Sequence, residues 1–291
     1  MGSERERLQA MQPALLHRAR VLQGIRRFFA ERDFLEVETP VHVAAPAQET
    51  HIDAEPTESG YLRTSPELHM KRMLAAGYER IYQLGPCFRR GERGALHHPE
   101  FCMLEWYRAG TDYLGILEDT RALLVSLDSV FDVVWKRVTV EQAFAQWAGW
   151  NPVETYDADR FDLDLVERVE PALAQFSEPV ILTDYPAEAG ALARLKPGDT
   201  RVAERWELYW KGVELANAYS ELTDAVEQDR RFEQAAQERT RLGKPVYPLD
   251  QDFMDALRAG LPPCGGIALG VDRLAMTLFN ATSLSALLPF R

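Results

Sequence analysis

The sequence predicts an α+β fold, a mostly antiparallel sheet flanked by helices. Its strand-length apolar runs are separated by short turns or single helices rather than by strict β-α alternation. Two pairs of these runs, at about 79–108 and 204–222, read as hairpins, and amphipathic helices lie before, between and after them.

In chain order, Leu15, Ala19, Leu22, Ile25 and Phe29 recur at helical spacing and predict an amphipathic helix over about 13–32. A short strand, FLEVETP, follows and stops at Pro40. Residues 41–60, rich in Ala, Pro and Thr, read as a loop. Ser65-Pro66-Glu67 offers a cap, a first-turn proline and an early carboxylate for a helix running to about Ala76, before Gly77. Strands at about 79–89 and 99–108 then enclose the charged stretch FRRGERGALHHPEF. Helices are expected at about 112–130 and 139–148, an acidic helix-biased connector at 151–178, and a buried strand, PVILTDYP, at 179–186. ERWELYWKGVELANAYSEL supplies two strands turning at Lys211-Gly212. A polar helix at about 224–242, a shorter one at about 250–259, the strand GGIALG and the helix VDRLAMTLF complete the chain, with no internal repeat.

The 46% hydrophobic content is ample for a buried core, and no stretch approaches the roughly 18 apolar residues of a membrane span. A cytoplasmic protein with no membrane partner is expected. The formal charge of −12 provides no global basic surface for nucleic acid, and Arg18, Arg20, Arg26, Arg27 and Arg32 read as a solvated helix face. Cys87, Cys102 and Cys264 form no C-x-x-C pair, which argues against a disulfide framework or a zinc site.

Strand parity places Phe101, Met103, Glu105 and Tyr107 on one face and Cys102, Leu104 and Trp106 on the other. A carboxylate among apolar side chains needs a cation, since breaking a buried pair costs about 3–5 kcal/mol. Arg89 or Arg108 is the internal candidate. In the second hairpin Asn217, Tyr219 and Glu221 share a face, and Glu207 and Glu214 flank the turn. That surplus of acids suits Mg²⁺ or an ammonium-bearing ligand. Arg89 and Arg273 are candidate phosphate clamps, and His97 and His98 lie in a loop where they either touch a polyphosphate or are solvated. Gly265, Gly266 and Gly270 permit close approach to the backbone, but GGIALGVDR is neither a P-loop nor a G-x-G-x-x-G fingerprint.

These pieces resemble, in order, the three signature motifs of class II aminoacyl-tRNA synthetases. The helix and strand ending at Pro40 resemble motif 1, the dimer element; FRRGERGALHHPEF resembles motif 2; GGIALGVDRLAM resembles motif 3. The lysyl branch is the most similar, through TSPELHMKRMLAAGYERIYQLGPCFR, MLEWY and ELANAYSELTDA. The resemblance implies a single catalytic domain over 1–291 without the anticodon-binding domain of a lysyl-tRNA synthetase, hence no tRNA partner. It implies a homodimer that uses ATP and Mg²⁺ to join (R)-β-lysine, or lysine, to a lysine of translation elongation factor P.

By that resemblance Arg89 and Arg273 are catalytic. Ser65, Pro66, Glu67, Glu105, Tyr107, Asn217, Tyr219 and Glu221 bind the amino acid, Glu105 and Glu221 meeting its ammonium groups. ATP falls to Arg89, Arg90, Glu92, His98, Glu214, Leu215, Gly270 and Arg273, and the metal to Glu207 and Glu214. Three positions depart from the family pattern. The motif 2 Arg-x-Glu is Arg89-Arg90-Gly91-Glu92, a common Asn is His98, and Ala268 stands where lysyl-tRNA synthetases often have Gly, a change that favours a β-amino acid. An asparagine-synthetase-type ammonia ligase, whose aspartate substrate wants a facing cation, and a non-catalytic regulatory paralogue are the alternatives.

Overall fold

The computed structural model describes residues 3–190 and 192–290. Helices α1 (Glu4–Ala10) and α2 (Gln12–Ala30) open the chain. No apolar spacing announces α1; its signal is a capping box, in which Ser3 Oγ accepts from Glu6 N and the Glu6 carboxylate accepts from Ser3 N. Strand β1 (Leu35–Glu36) is shorter than FLEVETP suggests, because only these two residues pair with the neighbouring strand. The expected loop at 41–60 holds short strands β2 (His42–Val43) and β3 (Pro56–Thr57), which join β4 (Gly60–Leu62) in a separate three-stranded sheet.

Helix α3 (Glu67–Ala75) leads to the long hairpin of β5 (Arg80–Phe88) and β6 (Glu100–Ala109). Then come α4 (Tyr113–Leu127), β7 (Lys136–Thr139) and α5 (Val140–Trp147). The acidic connector is helical in its middle, as α6 (Ala158–Asp164), a π turn and α7 (Glu170–Leu173). Strands β8 (Val180–Pro186), β9 (Leu195–Lys196), β10 (Asp199–Trp210) and β11 (Val213–Ser220) follow. Helices α8 (Ala225–Arg241) and α9 (Gln251–Gly260), strand β12 (Cys264–Gly270) and helix α10 (Val271–Leu278) end the fold.

The main sheet runs β1-β5-β6-β12-β11-β10-β8-β7, with β9 beside β10. Only β1 with β5 and β7 with β8 are parallel; every other pair is antiparallel, the α+β arrangement the sequence predicts. The β10–β11 turn has both central residues at positive φ, Lys211 at 50° and Gly212 at 74°, the backbone a two-residue hairpin requires.

The largest apolar core lies on one face of this sheet, where Phe28 and Phe29 of α2 and Leu123 of α4 meet Leu104, Trp106, Trp206 and Leu208. Leu104 and Trp106 therefore point away from Glu105 and Tyr107, as parity requires. The basic face of α2 is partly engaged, Arg18 with Asp272 at 2.9 Å and Arg26 with Glu36 at 3.0 Å. Cys87, Cys102 and Cys264 are free, and no helix of the described residues is long and apolar enough to cross a membrane.

Candidate active site

Register places the site residues in rows across the sheet. Gln83, Glu105, Ala268, Asn217 and Glu207 are successive cross-strand neighbours on β5, β6, β12, β11 and β10. The adjacent row on the same face reads Tyr107, Gly266, Tyr219 and Arg205. With strands about 4.8 Å apart, these rows form a polar floor. It lies under a cavity of about 1220 Å³ walled by α3, the 48–52 loop, the loop after Arg89, and α8.

Glu105 is 1% exposed. Ser65 Oγ donates to its Oε2 at 2.8 Å and Tyr107 OH to its Oε1 at 2.6 Å, and no cation among the described residues lies within ion-pair distance. The expected internal partners are engaged elsewhere: Arg108, of opposite parity, pairs with Asp119 at 2.8 Å, and Arg89 NH1 lies 3.8 Å from Glu92. Burial, and then the charge of Glu67, push the Glu105 carboxyl up to about 8. Ser65, expected as the helix cap, instead precedes the N-cap Pro66; its Oγ accepts from Glu67 N and so ties Glu105 to the start of α3.

Glu221 differs from the expectation that it waits for a ligand's ammonium. Lys71 of α3, 1% exposed and not anticipated as a site residue, forms ion pairs with Glu221 Oε2 and, at 2.5 Å, with Glu67 Oε1. Tyr219 OH also donates to Glu67 Oε1, at 3.0 Å. Burial pushes the Lys71 ammonium pKa down, but the charges of Glu221 and Glu67 outweigh it and hold that pKa above the ordinary lysine value. Burial raises Glu221, and Lys71 only partly offsets it. Glu221 Oε1 is left without a hydrogen-bond partner among the described residues.

A Cβ on Gly266 would overlap Glu221 Oε1 and the Tyr107 ring, so the floor needs glycine there. Gly266→Ala should cost about 1–3 kcal/mol by forcing those side chains apart, read from urea unfolding.

Both expected metal ligands are engaged by guanidinium groups. Arg205, two residues before Glu207 and hence on its face, binds Glu207 Oε1 at 2.6 Å, and Tyr209 OH takes Oε2 at 2.7 Å. Arg205 Nε also donates to Asn217 Oδ1 at 3.1 Å, fixing that amide. Arg273 NH1 holds Glu214 Oε2 at 3.0 Å, while Glu214 Oε1 makes no hydrogen bond or ion pair among the described residues. Among the described residues no cluster of three or more His, Cys, Asp or Glu is placed to hold a metal. Carboxylate oxygen suits Mg²⁺, so Glu214 fits with its free oxygen, whereas Glu207, occupied at both oxygens, does not in this arrangement.

Arg273 is engaged through all three of its nitrogens, with Nε donating to Leu96 O at 3.2 Å and NH2 to His97 Nε2 at 2.7 Å. His97 therefore caps Arg273 as a neutral acceptor; burial and then the Arg273 charge lower its pKa. Arg89 is placed over the Phe101 ring, and its buried Nε has no hydrogen-bond partner among the described residues. Glu92, His98, Leu215 and Gly270 line the cavity, but Arg90 is exposed outside it, so its expected ATP contact has no support from its position. Pro66 is buried as the residue that starts α3, with Ser65 and Glu67 facing the cavity beside it.

Residues 5–291 match the family described as tRNA synthetases class II (D, K and N). The chain is 40% identical over 308 residues to an elongation factor P–(R)-β-lysine ligase of Hamiltonella defensa, covering 95% of this chain and 94% of that protein. Proteins of the same name from Proteus mirabilis, 39% identical over 309 residues with 95% and 94% covered, and Salmonella gallinarum, 40% identical over 309 residues with 96% and 94% covered, are similarly related.

Proposed function

The chain belongs to the class II tRNA synthetase family of the D, K and N type, and from that premise we propose that it activates (R)-β-lysine, or lysine, with ATP and transfers it to a lysine of translation elongation factor P. The relatives' printed names point to this acceptor and amino acid. The observation that carries the reading is Glu105: a buried carboxylate, held by two neutral donors and no cation among the described residues, in a cavity that the Arg89 guanidinium also lines. Such a site is complementary to a molecule with an ammonium at one end and an anion at the other. Aspartate, the substrate of an asparagine-synthetase-type enzyme, would place its side-chain carboxylate against Glu105.

In the first step a substrate carboxylate oxygen attacks the α-phosphorus of ATP, the bond to the pyrophosphate oxygen breaks, and an aminoacyl-adenylate forms. In the second the acceptor lysine's neutral amine attacks the adenylate carbonyl, AMP leaves, and the amine's surplus proton passes to solvent. Neither step needs a covalent enzyme intermediate. Arg89 orients the attacking carboxylate, and Arg273, on exchanging Leu96 and His97 for phosphate oxygens, offsets charge on the triphosphate. Mg²⁺, held by Glu214, supplies further charge neutralisation at the phosphates. Ala268, on the floor between Glu105 and Asn217, narrows the space beside the substrate backbone and favours the β-amino acid.

A homodimer formed through α2 and β1 belongs to the same proposal, supported by the edge position of β1 and by Leu16 and Leu35, 52% and 49% exposed. The test is ATP–pyrophosphate exchange with lysine and both β-lysine enantiomers. We expect fastest exchange with (R)-β-lysine. No exchange with any of the three would leave only a binding role.

A further inference from the structure

The 48–52 loop of the cavity wall belongs to no helix or strand, so its shape depends on what its backbone bonds. Arg239, in the last turn of α8, is fully buried and turned towards this loop. Its guanidinium donates to Glu49 O at 2.8 Å, Ile52 O at 3.0 Å and Asp53 Oδ1 at 2.8 Å, and through Nε to Pro245 O at 2.7 Å. Its Cζ lies over the Tyr247 ring, 4.3 Å from the centroid, and Tyr247 OH accepts from Ala54 N at 2.8 Å. A buried charge is costly unless its donors are met. One carboxylate and several backbone oxygens meet them here, which fixes the loop and the guanidinium in one mutual arrangement.

The far end of the loop reaches Arg89. Asp53 O accepts from Arg90 N at 2.6 Å, and Arg89 N donates to Pro99 O at 2.8 Å. The Arg89 backbone is therefore pinned on one side by the chain entering β6 and on the other by a loop that Arg239 holds. Its side chain has weak restraints of its own: Nε has no hydrogen-bond partner among the described residues, and the ion pair with Glu92 is long, at 3.8 Å. Where that guanidinium points is set chiefly by the backbone that carries it.

We propose that Arg239 is a positioning residue for the Arg89 clamp, acting through the Asp53 carbonyl and the Arg90 N–H. This role rests on the proposed function above, in which Arg89 orients the attacking carboxylate. Arg239 does not itself line the cavity, so its effect on the reaction passes through the loop. Lys244 also reaches Asp53, at 3.3 Å, but from a partly exposed position and at a longer distance.

The test reads both ends of this chain of contacts in wild type, Arg239→Gln and Asp53→Ala. Hydrogen–deuterium exchange followed by mass spectrometry reports on the Arg90 amide, and pyrophosphate exchange with the amino acid that wild type uses best reports on Arg89. In Arg239→Gln the Arg90 amide should exchange about tenfold faster or more, with the β6 amides unchanged. Its kcat should fall about 100-fold, the scale of a misplacement of about 1 Å, with KM for ATP and amino acid within about threefold of wild type. Asp53→Ala removes a partly exposed side chain and leaves Arg239 its carbonyl partners, so it should fold and show both changes, with kcat down about tenfold. Where Arg239→Gln loses its fold by circular dichroism, Asp53→Ala decides. In folded variants, faster Arg90 exchange with kcat unchanged, a lower kcat with Arg90 exchange unchanged, or faster exchange throughout the sheet overturns this role and leaves the ligase reading intact. No pyrophosphate exchange by wild type removes that reading, and the role with it.

Discussion

Glu105→Gln should lower kcat/KM for (R)-β-lysine in pyrophosphate exchange by about 10³-fold, the scale of removing one partner from a buried charge pair, while the protein folds at least as well as before. The two halves of this result come from one cause. Glutamine keeps the size of the side chain and can still bond Ser65 and Tyr107, but it cannot balance an ammonium. Without ligand, the wild-type carboxylate is buried with no cation, so its ionisation opposes folding. The sign follows from its pKa, raised to about 8 in the folded chain against the ordinary carboxylate value when unfolded. The unfolded chain loses this proton first, so the wild-type contribution declines between about pH 4.5 and 8 and then levels off. Urea unfolding at pH 9 should accordingly find Glu105→Gln equal to or more stable than wild type. Binding runs the other way. An ammonium needs the ionised acid, so wild-type kcat/KM should rise with pH towards about 8, and this limb should flatten in the variant. Near-normal exchange by Glu105→Gln would remove the ammonium assignment.

Much of this site could be read from strand parity alone. The alternation that separates Glu105 and Tyr107 from Leu104 and Trp106 is the same one that separates the cavity from the main core. Lys211-Gly212 marked the hairpin that aligns Asn217 with Glu207. Three side chains that line or brace the cavity escaped that reading for different physical reasons. Arg205 shares the face of Glu207 by the same parity as the acids, so its signal is present in the strand alternation. Lys71 lies four residues after Glu67, a spacing that ordinarily signals a modest surface pair; nothing local reveals that this face of α3 is buried against β11. Glu49 sits in a loop without periodicity, and the arginine that fixes that loop is 190 residues away. Arg90 shows the converse, since adjacency to Arg89 in a motif carries no information about which side of the chain faces the cavity, and Arg90 is exposed outside it.

Lys71→Met should cost about 3–5 kcal/mol of folding stability near neutral pH, because it leaves Glu67 and Glu221 buried without their cation. Methionine is of similar length and apolar, so lost packing is minor and the deficit reports on charge. The pH dependence separates this from an ordinary core defect. In wild type the folded Lys71 pKa lies above its unfolded value, so its contribution is present in full below the ordinary lysine pKa and disappears only as pH rises through the folded value. In the variant Glu221, whose carboxyl burial already raises, can escape the penalty by binding a proton, readily at pH 5 and at a growing cost towards pH 8.5. Urea unfolding should therefore show a small deficit at pH 5 and a large one at pH 8.5. Adding Glu221→Gln should recover part of the stability at pH 8.5, since one uncompensated charge is removed. A deficit that does not change with pH, or no recovery in the double variant, would mean that Lys71 acts through packing. Lysine's place between Glu67 and Glu221 also leaves Glu105 without that cation: the Lys71 ammonium is held by Glu67 of its own helix and by Glu221 just after β11, and Ser65 and Tyr107 bond Glu105 without neutralising it.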